Sequence, residues 1–425
     1  PVEHGFHAFF RHYYNLNDFL DELGLREGFE EIEDYAILTA DGSRYGFDGV
    51  RKTPLLNLFS LLSTGMFALE DVALNPGTHK MQAFVEYDEA ETFERFDQTS
   101  YAQFAKDARL PDSLALIFNS FSRAFFAPAE KMSMAEMIKS FHFYFLGHNH
   151  GLDYDFPTAH YEQSLLEPLE RHLRELGVTI RRESPVRRIA PTDRGAQVDG
   201  TDFDYVILAS DVVGTRRILE RSPDMLATAP RLREQIGKLH ASNRYAVLRI
   251  WADRDEGADL PVFCITDKPR LLDSISFYHR IEEESRIWAE THGGGVYELH
   301  CYAIPDDFEG GDAAIIEQLL EDLYQFVPAL RGMQVLHQSV HVRANFTALH
   351  VGDHDPRRER DHPGEELGLL IADLRELLVG RVREAHRRVE PAGIQQRRNH
   401  GGRGGLAMGA ADSDRLLEAH QLGQH

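Results

Sequence analysis

Two short stretches of this 425-residue sequence bring histidines and acidic side chains together, and each could carry chemistry. One is Glu3–His7 (EHGFH) near the start, and the other is His148–Asp153 (HNHGLD). In the second stretch, His-x-His with a following Asp is a pattern that can bind a transition metal. The common dinuclear hydrolase pattern, however, has the Asp one position earlier and a His directly after it, and here Tyr154 follows. We therefore predict a polar loop between helices at His148–Asp153, and no metal site.

The opening stretch Glu3–Phe10 (EHGFHAFF), followed by Tyr13–Leu16 (YYNL), resembles a segment of the carotenoid desaturases, a branch of the FAD-dependent amine oxidase family. In that family the segment follows the dinucleotide fold and passes under the flavin ring. Within the group it is most similar to the isorenieratene synthase-type carotene desaturases.

The resemblance implies that FAD is the cofactor and that Glu3, His4, Gly5 and His7 lie beside the flavin. A glycine suits that place because a Cβ would obstruct the approach of backbone to a planar ring. From the residues alone, the alternative is that His4 and His7 are ordinary turn or core histidines.

Other stretches match the same family in order and spacing, so that the resemblance covers roughly residues 1–354. Phe121–Ala127 and Phe141–Gly147 resemble the substrate-domain helices of the family. Leu165–Leu169, Pro185–Ile189 and Tyr205–Ser210 resemble its second FAD segment.

Two further cofactor-binding residues follow from this resemblance, Val186 and Ala209. In the family, the residue matching Val186 presents its backbone N–H and C=O to the edge of the adenine, and a short strand would hold that pair rigidly. Ala209 falls within the stretch Tyr205–Ser210. No catalytic residue is assigned, because in the family the flavin is the oxidant and geometry does most of the work.

Two family motifs have no counterpart in this sequence. The Gly-rich strand–turn–helix that binds pyrophosphate would precede residue 1. Nothing after His354 matches the Gly-Asp-Trp-like segment near the C-terminus of the family. Gly402–Ala407 fits G-x-G-x-x-A, but it follows Gln395–Asn399 rather than a buried strand. We therefore expect an incomplete FAD-binding domain that binds FAD weakly or not at all.

The elements that must position these residues form two groups. Tyr161–Leu176 has helical spacing, Pro185–Ile189 is predicted as a short strand, and Gly214–Glu220 as a helix. The continuous apolar run Tyr205–Ala209 is typical of a strand buried on both faces of a parallel sheet. This order is characteristic of α/β architecture.

Residues 243–345 instead predict an α+β domain with a mostly antiparallel sheet and one helix, Ala313–Phe326. The predicted strands are Arg244–Trp251, Pro261–Ile265, Ser274–Arg280, Val296–Ala303 and Gln334–Arg343. The predicted fold is thus α/β plus α+β: an incomplete FAD/NAD(P)-binding Rossmann-like domain with a mixed helical and antiparallel-sheet substrate domain. We assign residues 1–10 and 155–240 to the partial FAD-binding domain and residues 11–154 and 241–350 to the substrate domain.

Residues 55–146 are predicted to be helical and are rich in large apolar side chains, including eight aromatic residues within 28 positions. They are Phe118, Phe121, Phe125, Phe126, Phe141, Phe143, Tyr144 and Phe145. One interpretation is a hydrophobic core, and the other is a tunnel for a rigid polyene or an opening towards the bilayer in which such substrates dissolve.

The charge and the cysteine content of the chain indicate which binding partners and which cellular compartment to expect. The formal charge is -23 with only seven Lys, which suits a surface adapted to high salt and offers no basic face for nucleic acid. Cys264 and Cys301 each lie in an apolar run and are predicted to be core residues. Two thiols without a disulfide framework, and no signal peptide or spanning segment, indicate a cytoplasmic protein, or one peripheral to the inner face of the membrane.

The segment 355–425 differs from the rest of the chain. It contains twelve acidic residues and twelve Arg, so its formal charge is zero, and it contains no Phe, Trp or Tyr. We interpret it as an anomalous tail that arises from a shifted reading frame or a foreign sequence.

These observations favour an FAD-dependent oxidoreductase, a carotenoid desaturase that acts on a long apolar polyene by hydride transfer to flavin. Two alternatives are a flavin amine oxidase-like enzyme with another apolar substrate, and a non-catalytic truncated product.

Overall fold

The computed structural model describes residues 5–352, apart from residues 55, 64, 66–69, 71–74, 229–233, 235, 268–269, 345 and 347. Glu3, His4 and the segment 355–425 predicted to be anomalous therefore lie outside the described residues. Contacts divide the chain into two compact units. The first comprises the described residues of Pro1–Pro185, Ser210–Val213 and Leu239–His354, and the second those of Val186–Ala209 and Gly214–Lys238. The domain boundaries given above stay a prediction.

The described strands are short in the N-terminal half of the chain and longer in the C-terminal half. In chain order they are β1 (Phe9–Phe10), β2 (Phe29–Glu31), β3 (Tyr35–Leu38), β4 (Arg44–Gly46), β5 (Tyr154–Pro157), β6 (Ile189–Thr192), β7 (Gly195–Val198), β8 (Thr201–Phe203), β9 (Tyr245–Ala252), β10 (Phe263–Thr266), β11 (Ser274–Phe277), β12 (Gly295–Cys301) and β13 (Val335–Arg343).

The described α-helices are concentrated between residues 56 and 141. In chain order they are α1 (Tyr14–Glu22), α2 (Leu56–Ser63), α3 (Thr78–Met81), α4 (Glu89–Phe96), α5 (Tyr101–Asp107), α6 (Asp112–Ala124), α7 (Met134–Phe141), α8 (Glu167–Glu175), α9 (Val212–Glu220), α10 (Pro223–Thr228), α11 (Glu283–His292) and α12 (Asp312–Phe326).

A seven-stranded sheet organises the first unit, in the order β13-β9-β12-β11-β10-β3-β4. All neighbouring strands are antiparallel except β10 and β3, which are parallel. A smaller antiparallel sheet, β1-β5-β2, pairs Phe9 with Asp155 and so holds the N-terminal segment against the middle of the chain. The predicted antiparallel sheet is therefore confirmed, and so is the helix predicted at Ala313–Phe326, which is α12.

The two faces of the large sheet differ in chemistry. Successive side chains of a strand point to opposite faces, and Leu248, Leu299 and Ile275 belong to the same core cluster as residues of α12. Five of the alternate positions carry polar side chains that are nevertheless buried, and we call these five residues the polar face. They are Arg249, Ser274, Ser276, Glu298 and His300. Charged side chains are seldom buried unless they are paired, so the polar face needs an explanation.

The described strands of the second unit form one antiparallel meander, β6-β7-β8. The prediction of a buried parallel strand at Tyr205–Ala209 is wrong: the segment is irregular, and Ile207 is 78 % exposed. An apolar run becomes a buried strand only where other strands lie beside it, and in the described part of this unit the three strands of the meander pair only with one another.

The short strand predicted at Pro185–Ile189 is also wrong, because β6 begins only at Ile189. The N–H groups of Arg187 and Arg188 donate instead to the carboxylate of Asp199, at N···O distances of 3.0 and 2.9 Å. A side chain therefore replaces a strand partner, and the backbone beside Val186 is held without being part of a sheet.

Candidate functional site

Glu298, on β12, lies at the centre of the polar face and is fully buried. Its Oε2 accepts hydrogen bonds from Nε and Nη2 of Arg249, at 2.8 and 2.6 Å. Its Oε1 lies 2.7 Å from Nε2 of His300 and accepts from the backbone N–H of Phe6, also at 2.7 Å. With His300 protonated on Nε2, four donors surround the carboxylate and use its full accepting capacity.

The electrostatics keep Glu298 ionised. Burial alone would raise its pKa, but the charge of Arg249 and the hydrogen bond from His300 outweigh burial and lower the pKa to about 2. Burial opposes the charge of Arg249 as well, yet Glu298 raises the pKa of the guanidinium above its ordinary value. The guanidinium also lies 3.7 Å from the centre of the Tyr278 ring, a cation–π contact. The pair is therefore a charged one inside the fold.

The network continues from His300 to the end of α6. Nδ1 of His300 lies 3.3 Å from the hydroxyl of Tyr302, which lies 3.0 Å from Oγ of Ser274. The backbone N–H of Tyr302 donates to Asp273 at 2.7 Å, and Asp273 pairs with Nε of Arg123 at 2.9 Å. Burial raises the pKa of Tyr302, so its hydroxyl stays protonated and can donate within the chain.

Gly5 lies directly over this network. Its φ of +114° is a conformation that L side chains rarely adopt. A Cβ at this position would lie 2.7 Å from Cε1 and Nε2 of His300 and 3.3 Å from Cγ2 of Val247. A glycine is therefore required here, and in the described residues the ring that demands it is an imidazole of the sheet; the place of Gly5 beside the flavin stays a prediction.

An aromatic group borders the polar face. The ring of Phe126, a residue in the left-handed region with a φ of +58°, stacks on Phe346 with centroids 4.3 Å apart. It also contacts Tyr245 and Tyr302 at centroid distances of 5.0 and 5.4 Å. Apolar rings and a buried polar network thus meet at Tyr302. Phe118, Phe141 and Phe145 belong instead to the helical core, where the core interpretation holds.

Of the other predicted site residues, the structure describes His7, Val186 and Ala209. His7 is exposed, and its ring centroid lies 5.1 Å from that of Tyr161. Val186 and Ala209 belong to the second unit; both are exposed, and neither lies in a strand. Their roles at the cofactor stay predictions.

The side chains of the loop His148–Asp153 pair with one another and with Lys52 and His12. Asp153 is buried, with one carboxylate oxygen 3.0 Å from Nδ1 of His150 and the other 2.5 Å from the ammonium of Lys52. The ring of His148 stacks on that of His12, whose pKa burial and the neighbouring His148 lower to about 4. Among the described residues, no three His, Cys, Asp or Glu side chains are grouped so that they could hold a metal ion.

Sequence reasoning missed Arg249, Glu298 and His300, although it predicted their strands. The signal was available, because each is a charged or titratable residue at an alternate position of an otherwise apolar run. What the sequence does not reveal is the register that places Glu298 opposite Arg249 across β12 and β9.

Comparison with known proteins identifies the family: the profile of the family described as flavin containing amine oxidoreductase matches residues 1–372. The chain belongs to this family, and its cofactor is FAD. The family resemblance found in the sequence is therefore confirmed.

Two relatives bear the same name. The carotenoid phi-ring synthase of Streptomyces griseus is 33 % identical over 372 residues, which cover 85 % of this chain and 70 % of the relative. The carotenoid phi-ring synthase of Chlorobaculum tepidum is 24 % identical over 499 residues, which cover 87 % of this chain and 76 % of the relative. By family, this chain is an FAD-dependent oxidoreductase of the carotene desaturase type.

The structure of a putrescine oxidase bound to putrescine resembles this fold with a TM-score of 0.58. It is 15 % identical, and the likeness covers 86 % of this chain and 81 % of that one. This likeness confirms the predicted fold class. Among the described helices, none is both long and apolar enough to cross a membrane.

Proposed function

We propose that this protein oxidises a long apolar polyene of the carotenoid type, with FAD as hydride acceptor. The observation that carries the proposal is the aromatic group of Phe126, Tyr245, Tyr302 and Phe346 at the edge of the polar face. Apolar, aromatic surfaces with a few fixed polar groups suit a rigid ligand that has no charge of its own. The names of the two relatives support the same substrate class.

We propose that Glu3, His4, Gly5 and His7 lie beside the flavin and that Val186 and Ala209 hold the other end of the cofactor. The described part of the first segment fits this role, because the conformation of Gly5 and the bond from Phe6 to Glu298 fix its backbone. Bound FAD would supply the two-electron oxidant. The residues of this chain would orient the polyene and exclude water from it.

An amine substrate is the second candidate, because the fold resembles that of a putrescine oxidase. A cationic amine would need an available carboxylate. The carboxylates of Glu298 and Asp273 are buried and engaged by Arg249 and Arg123, respectively. This pairing favours an uncharged substrate.

The test is anaerobic reduction of FAD-loaded protein by an excess of polyene in detergent. A cyclic polyene with two six-membered end rings and an acyclic polyene would be compared with putrescine. We expect bleaching of the flavin band with a polyene, together with a red shift of the polyene absorption, because desaturation lengthens the conjugated system. Bleaching by putrescine alone would favour the amine candidate, and no bleaching by either would favour a non-catalytic chain.

We further propose that the protein contacts the membrane surface through α2, since its substrate would dissolve in the bilayer. Phe59 and Leu56 of this helix are 66 % and 41 % exposed. The formal charge of -23 predicts repulsion from anionic lipids, so the contact would be apolar.

We expect Phe59→Asp to reduce co-sedimentation with neutral phosphatidylcholine vesicles by about tenfold, since a charge cannot enter the acyl region cheaply. The matched control is Phe203→Asp, which changes an exposed phenylalanine of the second unit. Equal loss in both variants would argue against α2 as the contact.

A further inference from the structure

The bond between Phe6 and Glu298 joins residues that are 292 positions apart in the chain. It is the backbone of the N-terminal segment, rather than a side chain, that is held. The acceptor is itself held in place, because two nitrogens of Arg249 donate hydrogen bonds to the opposite oxygen of the carboxylate. A backbone amide tied to a buried charge is fixed more strongly than one tied to a neutral group.

We propose that Glu298 is a positioning residue, which sets the place of the segment Gly5–His7 against which the flavin lies. Arg249 and His300 hold Glu298 in turn, and His300 also limits Gly5 to its position above the sheet. This inference rests on the proposed function for the placement of FAD beside that segment. It goes beyond the proposed function by naming the group that fixes the segment.

A second buried carboxylate provides a matched control. Glu282 lies 3.8 Å from Nη1 of Arg249 and accepts from Oγ of Ser285 at 2.5 Å. Glu282→Gln and Glu298→Gln each remove one buried negative charge beside the same guanidinium. Only Glu298 also accepts the N–H of Phe6.

The glutamine substitution at 298 is informative because an amide has one accepting end. Its carbonyl oxygen will face Arg249, the stronger donor, and its NH₂ group will then face the N–H of Phe6. The shape of the side chain is retained while the bond to the segment is lost. A general loss of packing is therefore avoided.

The experiment measures hydrogen exchange of the Phe6 amide and the dissociation constant of FAD in the wild-type chain and both variants. We expect Glu298→Gln to speed exchange at Phe6 by about tenfold or more and to weaken FAD binding by a similar factor. We expect Glu282→Gln to leave both close to the wild-type values.

Equal changes in the two variants, no change in either, or faster exchange without weaker FAD binding would each overturn the proposal. Neither measurement requires turnover. Both measurements could give the expected results while no polyene reduces the bound flavin. That outcome would refute the proposed substrate and leave Glu298 as the positioning residue.

Discussion

Replacing Glu298 by Leu is expected to destabilise the protein by about 3–5 kcal/mol, since a buried guanidinium loses its closest partner and keeps only Glu282, 3.8 Å from Nη1. Arg249 is 3 % exposed, and the N–H of Phe6 and Nε2 of His300 would lose their acceptor as well. Thermal unfolding followed by circular dichroism would show the loss as a melting temperature lower by roughly 5–10 °C. The additional change Arg249→Met should restore part of it, because the guanidinium that lost Glu298 is then absent, while Glu282 loses the same cation and keeps the hydrogen bond from Ser285.

The pH dependence gives an independent check of the same residue. The folded-state pKa of Glu298 is about 2, below the ordinary value of about 4.3 for Glu. The unfolded chain therefore binds the proton more readily, and the stabilisation by Glu298 is full above the ordinary value and is lost as pH falls towards 2. The melting temperatures of wild type and Glu298→Leu should thus converge on acidification.

The comparison variant is Glu321→Leu, which breaks a surface pair with Arg331 whose side chains are 55 % and 58 % exposed. Exposed pairs contribute little because water and salt screen them, so its melting temperature should stay near that of wild type. If Glu298→Leu melted no lower than this control, the buried pair would not stabilise the fold in the way the geometry indicates.

The strands β9 to β13 of the large sheet were predictable because their side chains alternate or run apolar over several residues, whereas β3 and β4 of the same sheet were not predicted. The helix α12 was predictable from its helical spacing. The small sheet β1-β5-β2 was not, since its strands have two to four residues and pair Phe9 with Asp155 across most of the first 160 positions. Such short strands are fixed by their partners and not by local propensity.

Tyr205–Ala209 shows the opposite case, a strand that the local sequence predicts and the structure does not form. Its apolar run is a sound local signal for a buried strand, but burial depends on neighbours that the run itself does not encode. At the candidate site, Gly5 could be singled out through the family resemblance of the opening stretch. Glu298 and Arg249 could not be paired in advance, because a shift of one residue in register would turn one of them to the opposite face.

Replacing Gly5 by Ala is expected to disturb the contact between the N-terminal segment and the sheet, this time by a change in the segment rather than in Glu298. The added Cβ would lie 2.7 Å from the ring of His300, closer than such atoms normally approach, at a φ of +114°. Backbone strain of this kind costs about 1–3 kcal/mol before the steric contact is relieved. Relief requires either the segment or the imidazole to move, and each movement lengthens a bond to Glu298.

The control for Gly5→Ala is Gly24→Ala, whose φ of +67° is also positive but whose Cβ would meet nothing within 4 Å. Both variants carry a positive φ, but +67° lies in the left-handed helical region and +114° does not, so a larger fall in melting temperature for Gly5→Ala would report backbone strain together with the contact with His300. Adding His300→Ala should then cost less in the Gly5→Ala background than in the wild type, because the ring that clashes is gone. Fully additive losses would mean that Gly5 and His300 do not constrain each other, and that the N-terminal segment is placed by other contacts.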